Sequence, residues 1–293
     1  MATLSQSLPR VRCRQIGSSD LNGVANLLAR GFRRRTVKYW HRALERMSSH
    51  STPPGLPKYG YLLEQHGTPV GAILLIFSTV QTGTTSRVRC NLSSWYAEPA
   101  FRGHASLLIL HATKDKNITY FNISPAVHVM PIIEAQGFSR YSNGQFLTIP
   151  ALSGNSAGGR VTLSRPDSDP NAPFESYERD VLLEHARYGC MSLWCTTAER
   201  AYPFVFLPRL VKGFIPCVQL VYCRDVEDFV QFARPLGCFL ALRGRPLVLI
   251  DSNGPIPGLV GRYFQGAAPK YFKGPQPPRL GDLAYTEAAM FGL

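Results

Sequence analysis

The stretch at residues 91–138, NLSSWYAEPAFRGHASLLILHATKDKNITYFNISPAVHVMPIIEAQGF, constrains the fold more than any other, because it reads in order as strand, basic turn, helix, strand, helix. Residues 92–97 form the first strand. It runs into Glu98 and Pro99, where proline removes a backbone donor and restricts the residue before it, so the ladder ends and a turn follows. Phe101, Arg102, Gly103 and His104 supply that turn, and from Ala105 onward Leu107, Leu108 and His111 fall at helical spacing. A helix that begins there sets unpaired amides and the positive end of its dipole beside two basic side chains, which suits the oxygens of a pyrophosphate. Residues 118–123 then alternate as a strand, and a second helix covers about residues 127–136. Gly137 and Phe138 close it, glycine accepting the left-handed dihedrals that end helices.

In this order of elements the segment resembles the GCN5-related N-acetyltransferases. In that family a strand leads into an Arg/Gln-x-x-Gly-x-Gly/Ala loop that holds the acyl-CoA pyrophosphate, and a later helix ends in Gly-Phe. WYAEPAFRGHASLL and NISPAVHVMPIIEAQGF fall at the corresponding places, and the resemblance covers roughly the first half of the chain. It implies an acyl-CoA-dependent N-acyltransferase, with acetyl-CoA or another acyl-CoA as donor and a small-molecule or protein amine as acceptor. By the same resemblance, backbone groups of Trp95, Tyr96 and Ala97 face the pantetheine and thioester, and Arg102, Gly103, His104, Ala105 and Ser106 hold the pyrophosphate. Proton carriers near such a site are Glu98, Ser124, His128 and Glu134; each also has a plainer reading, as a turn cap, a helix cap, a surface imidazole and a solvated carboxylate. Among these residue types, histidine is the one whose reference pKa lies near neutrality, which singles out His128. Three positions depart from the pattern. Ala105 stands where the loop asks for glycine, Leu107 where it asks for glycine or alanine, and Ile133 where many members carry a tyrosine that protonates the leaving thiolate. The departures motivate an alternative, a catalytically inactive protein that keeps the fold and binds acyl-CoA or a partner.

Taken from its start, the chain offers a strand at residues 11–16, a helix carrying Leu21, Val24, Leu27 and Leu28 behind Asp20, and a second helix at about residues 36–47. Arg33, Arg34, Arg35, Lys38, Arg42 and Arg46 crowd that second helix, either as a solvated face or as a contact surface for an anionic substrate or carrier. Residues 59–65 and 70–80 read as strands joined by His66, Gly67 and Thr68, followed by a polar turn at residues 81–87 and a third strand at residues 90–96. Asn143 and Gly144 suggest a turn between short strands within residues 139–149. Composition then shifts to Gly, Ser, Asp, Asn and Pro over residues 150–173, with a short strand possible at residues 160–163. Beyond it the pattern echoes the first half: a helix at residues 177–187, strands at 192–196, 202–207 and 214–222, a helix at 226–236, strand-rich residues 238–250, a Gly/Pro-rich tail at 253–279 and a closing strand within 282–293. The echo of the phosphate turn, Cys223, Arg224 and Asp225, lacks glycine and carries an acid. The expected architecture is α/β (α+β): a mixed, mostly antiparallel twisted sheet flanked by helices and duplicated. Its divisions are an acyltransferase domain at residues 1–150, a linker at 151–175 and a degenerate second copy at 176–293.

A hydrophobic content of 45% with 11% aromatic residues across 293 residues belongs to a folded protein of one large or two ordinary domains. The longest apolar run, residues 72–77, falls far short of the roughly 20 residues a membrane span needs. With no apolar core in MATLSQSLPRVRCRQ, a cytoplasmic protein with no membrane partner is expected. Seven cysteines, odd in number and without a CxxC pair, read as buried thiols, and no metal is expected: His104 and His111 lie seven apart on one helix without further ligands. A net charge of +13 favours polyanions, among which the phosphates of CoA or an acidic carrier protein stand ahead of nucleic acid, for which net charge is the whole case. No serine or cysteine elbow, HExxH pair, Walker loop or dinucleotide fingerprint is present.

Overall fold

The computed structural model describes residues 11–82, 85–154, 161–211 and 213–292. The first ten residues, the tip of the expected turn at 83–84, residues 155–160 of the expected linker, Lys212 and Leu293 lie outside the described residues. Packing divides the chain into two compact units, Met1–Tyr120 and Phe121–Leu293, so the division falls ahead of the composition shift at residue 150.

The first unit begins with β1 (Arg12–Gln15), α1 (Leu21–Gly31) and α2 (Val37–Ser49). α2 starts where the Thr36 hydroxyl accepts the Tyr39 amide, a side-chain cap that satisfies one orphan donor. Trp40, Ala43, Leu44 and Met47 form its buried stripe. β2 (Gly60–Gln65) and β3 (Thr68–Thr82) make a hairpin in which His66 and Gly67 both take positive φ, 50° and 78°, as a two-residue turn of the primed type requires. β4 (Thr85–Ala97) pairs antiparallel with β3 along its length, giving the order β1-β2-β3-β4. The ladder therefore runs through much of residues 81–87, which the polarity of the sequence had suggested as a turn. Residues 70–77 of β3 are buried without alternation, because α1 and the next helix, α3 (Ala105–Ala112), both pack on this strand.

β5 (Thr119–Asn122) spans the division between the units. In the second unit follow α4 (Met130–Ala135), β6 (Ser139–Thr148), β7 (Thr162–Ser164), α5 (Ser176–Arg187), β8 (Met191–Thr196), β9 (Ala201–Val211) and β10 (Ile215–Cys223). The chain continues through α6 (Val226–Gln231), α7 (Ala233–Ala241), β11 (Leu247–Ser252), β12 (Gly261–Lys273) and a π-helical turn at Ala288–Gly292. Strand order is β12-β6-β11-β10-β9-β8-β7, antiparallel except for the parallel pair β10 and β11. Alternation along the strands builds two cores: Trp194, Val205 and Leu207 pack with Val181 and Leu182 of α5, while Leu193, Cys195, Phe204 and Phe206 pack with Phe229 of α6 and Leu236 and Leu240 of α7. Each unit is thus a mostly antiparallel sheet flanked by helices.

Several expectations are corrected here. Residues 139–148 are one strand, not two, and Gly144 serves close approach: a Cβ there would lie 2.3 Å from the Phe264 carbonyl oxygen of β12. The expected helix at 226–236 is two helices, since Pro235 has no amide to offer the turn before it. α7 then runs through Cys238 where strand was expected; its Gly237 lies so near the turn at Pro150–Leu152 that a Cβ would come within 2.1 Å of the Ala151 amide nitrogen. The Gly/Pro-rich tail contains the thirteen-residue β12, and Asp282 makes only an isolated bridge to Tyr222.

Candidate functional site

The site expected from the sequence centres on the end of β4. Tyr96 faces Ala72 and Ser93 faces Leu74, so two residues of β4, Ser94 and Trp95, stand opposite Ile73 alone. This is a β-bulge, and Ser94 takes φ 54°, the left-handed conformation that L-residues rarely adopt. A bulge leaves the extra residue's backbone groups out of the ladder and turns the strand aside just where Trp95, Tyr96 and Ala97 follow. Ser94 is the residue the sequence reading missed; nothing in its side chain signals the conformation.

Beyond the bulge, Pro99–His104 forms a 3-10 turn that runs directly into α3. The amide of Phe101 bonds to the Glu98 carbonyl and that of Ala105 to the Arg102 carbonyl, at 2.8 Å for the first. The open glycine loop implied by the resemblance is therefore replaced by a closed turn that uses part of its own amides. Gly103 has negative φ and open space around its missing Cβ, so it is not there for steric need. Arg102, Gly103, His104 and Ser106 are exposed and Ala105 half-buried, and Arg102 pairs with no acidic group among the described residues. The Trp95 indole donates to the Ala105 carbonyl at 3.2 Å, fastening the turn to the strand.

Tyr96 is held from the other side. Gly31 ends α1 so close to its ring that a Cβ would come within 2.5 Å, and the Phe32 ring lies tilted against it with centroids 6.2 Å apart. Glu98, a candidate proton carrier, receives both Nε and Nη2 of Arg30, at 3.0 and 2.6 Å. The end of α1 and the end of β4 are thus bound together by a ring contact and an ion pair.

The remaining candidates lie in the second unit. Ser124 is exposed, and its hydroxyl donates to Oε1 of Glu287, a buried carboxylate in the C-terminal segment that sequence distance hid. His128 is exposed in the 3-10 turn Val127–Val129. Glu134 is exposed but engaged: Arg140 donates to it at 2.8 and 3.1 Å and the Tyr271 hydroxyl at 2.9 Å, and these bonds, Arg140 first, hold its carboxyl below the usual range. Ile133 is buried at 1% exposure as a core residue of α4. Gly137 takes φ 85°, with its amide on the Glu134 carbonyl and that of Phe138 on the Ile133 carbonyl, the glycine closure expected of this helix. Among the described residues, no group of three or more His, Cys, Asp and Glu is placed to hold a metal ion, and no helix is long and apolar enough to cross a membrane.

No family model matches the sequence, and no curated protein matches it either. Solved structures do. A GCN5-related N-acetyltransferase from Anabaena variabilis superposes with a TM-score of 0.58 at 10% identity, over 90% of this chain and 72% of that one. One from Kribbella flavida gives 0.53 at 14%, over 90% and 71%. A candidate acetyltransferase from Pyrococcus horikoshii gives 0.55 at 11%, over 97% of this chain and 96% of its own. The fold is that of the GCN5-related N-acetyltransferases. The identities are too low to carry a residue's role across to the bulged β4 or to the turn into α3.

Proposed function

We propose that the chain is an acyl-CoA-dependent N-acyltransferase, with acetyl-CoA as the first donor to test, moving the acyl group from the CoA thioester to an amine. The observation that carries this reading is the bulge at Ser94 and Trp95, set immediately before a turn that leaves Arg102 exposed and unpaired by any acid among the described residues. Transfer from a thioester is mostly positioning: the carbonyl is polarised by fixed donors, the neutral amine approaches it, and the thiolate leaves as it is protonated or solvated. Backbone groups freed by the bulge supply fixed dipoles beside Trp95, Tyr96 and Ala97. Arg102, with the Ser106 hydroxyl, supplies charge and a donor for phosphate oxygens. The second unit is read as a degenerate copy of the first, in which the corresponding arginine is engaged internally.

Acyl-CoA should raise the melting temperature by mass action, and Arg102→Ala should weaken the binding about tenfold without changing the melting temperature of the free protein. The absence of any shift with acetyl-, propionyl- or longer acyl-CoA at high concentration sinks the proposal. A second reading, acyl-CoA binding without turnover, is favoured by the engagement of Glu98 with Arg30 and of Ser124 with Glu287, and by an aliphatic Ile133. Release of free thiol above the amine-free rate, across a panel of amines, excludes it.

A further inference from the structure

The positive charge of this chain is not spread evenly. Between Asp20 and Glu64 stand eight Lys and Arg residues and one acid, Glu45, a net of seven charges out of the chain's +13. Charge that served only solubility would be interspersed with acids over the surface. Arg30 is engaged by Glu98, and the Lys58 ammonium donates to the His50 carbonyl. Arg35 lies over the Tyr39 ring at 4.6 Å. Arg46 is half-buried at the last turn of α2. That leaves Arg33 and Arg34 in the turn after α1, and Lys38 and Arg42 one helical turn apart on α2, all exposed and none paired with an acidic group among the described residues. The opposite side of α2 is committed to the core through Trp40, Ala43, Leu44 and Met47. The four cations therefore form one outward face, and the first turn of α2 holds no acid to relieve them, so the arrangement costs helix stability instead of adding to it.

Position gives the face its meaning. Arg33 follows Gly31 and Phe32, the two residues that touch the Tyr96 ring, and Arg30 grips Glu98, so the cationic face begins beside the end of the bulged strand. We propose that Arg33, Arg34, Lys38 and Arg42 dock an acidic segment of a protein that carries the acceptor amine; this deepens the acyltransferase reading and rests on it. The spread of the four charges, with about 6 Å between side chains one helical turn apart, exceeds what one carboxylate or phosphate spans and matches a run of acidic side chains. An anionic membrane fits less well, because no large hydrophobic side chain is exposed among the described residues before Leu110, and an interfacial helix needs apolar groups to insert. Single-stranded nucleic acid fits less well for a related reason: Phe32 and Tyr39 are half-buried and Trp40 buried, leaving no open ring for bases to stack on.

The test uses the full chain and two short peptides, one with paired glutamates flanking a single lysine and one with glutamine at the same places. Fluorescence anisotropy should show the acidic peptide binding more tightly than its glutamine counterpart, with an affinity that falls as salt rises. The charge-reversed variant Arg34→Glu/Lys38→Glu/Arg42→Glu should lose at least about tenfold in that affinity, since three exposed pairs are removed together. Its affinity for acetyl-CoA by calorimetry should stay at the wild-type value. Equal binding of the two peptides, or an unaffected variant, overturns the docking proposal. A parallel loss of acetyl-CoA affinity also overturns it, by assigning the cations to cofactor phosphates, as does tighter binding of duplex DNA or of phosphatidylserine vesicles than of the peptide. If wild type binds the acidic peptide but no acyl-CoA, the acyltransferase reading fails while the docking face stands.

Discussion

The end of β4 and the end of β10 are built on one plan and finished in opposite ways. Both strands carry a one-residue bulge close to their exit, at Ser94 and Trp95 in the first unit and between Leu220 and Tyr222 in the second, and both lead within a few residues to an arginine and a helix. At β4 the arginine, Arg102, stands exposed. At β10 it is Arg224, whose Nε and Nη2 are held by the carboxylate of Glu178 at 2.8 and 2.7 Å and whose guanidinium lies over the Tyr202 ring. Glu178 is fully buried on α5, and Asp225, Glu227 and Asp228 crowd the start of α6, so the charge balance there disfavours a phosphate. The same frame thus offers a cation to solvent in one unit and neutralises it from within in the other. What turns Arg224 into half of a structural ion pair is one glutamate 46 residues away in sequence, whereas Arg102 stays available to the anion of the proposed function.

That contrast can be broken most severely at the glutamate. Replacing Glu178 by Gln leaves the Arg224 charge half-buried without its counter-ion, and the second unit should lose about 3 kcal/mol. The double variant Glu178→Gln/Arg224→Met should recover most of the loss, because the burial of the unpaired charge, not the absence of the pair, is what costs. Urea unfolding followed in the two variants measures both. If Glu178→Gln unfolds at the wild-type midpoint, the ion pair is not what distinguishes the two units.

Next in size is the bulge itself. Ser94 at φ 54° should tolerate glycine without loss, whereas Ser94→Val should cost about 1–2 kcal/mol, since a branched side chain collides with its own backbone in the left-handed region. The same valine should weaken acetyl-CoA binding more than the glycine does, as the strand straightens to escape the strain. Equal affinities in the two variants, measured by calorimetry, would detach the bulge from the cofactor site.

Most of this frame was legible in the sequence. The apolar runs in residues 59–65 and 70–80, the primed turn at His66 and Gly67 and the stripe of α2 are local, so these patterns survive into the structure. β12 was hidden because much of residues 261–268 is exposed and rich in small residues, and what holds the strand is long-range: the pairing with β6, the close approach at Gly144 and the buried ion pair of Lys270 with Asp251 at 2.7 Å. The candidate site divides in the same way. Arg102 and the turn could be placed from proline and helical spacing, but the left-handed Ser94, the hold of Glu178 on Arg224 and that of Glu287 on Ser124 join residues whose meeting only the folded chain determines.

The smallest effect expected is electrostatic and has opposite signs in the two units. In the first, Arg14 donates to both carboxylate oxygens of Asp20, at 2.6 and 2.8 Å, and with the Gly17 amide it holds that carboxyl below its ordinary range. In the second, burial raises the carboxyl of Asp228, against the pull of Arg224, and its Oδ2 has no hydrogen-bond partner. A carboxyl lowered on folding contributes stability that is complete above its unfolded value of about 3.9 and is lost as pH falls through the folded value. One raised on folding does the reverse: its cost is complete above the folded value and disappears as pH falls toward the unfolded one. Asp20→Asn should therefore destabilise the first unit at neutral pH, and Asp228→Asn should stabilise the second, by roughly 0.5 kcal/mol or less. Both differences from wild type should shrink as the pH is lowered below about 4. Thermal unfolding of the two variants at neutral and acid pH checks the signs, and a neutral-pH loss on Asp228→Asn would show that its carboxylate is engaged by Arg224 strongly enough to outweigh its burial.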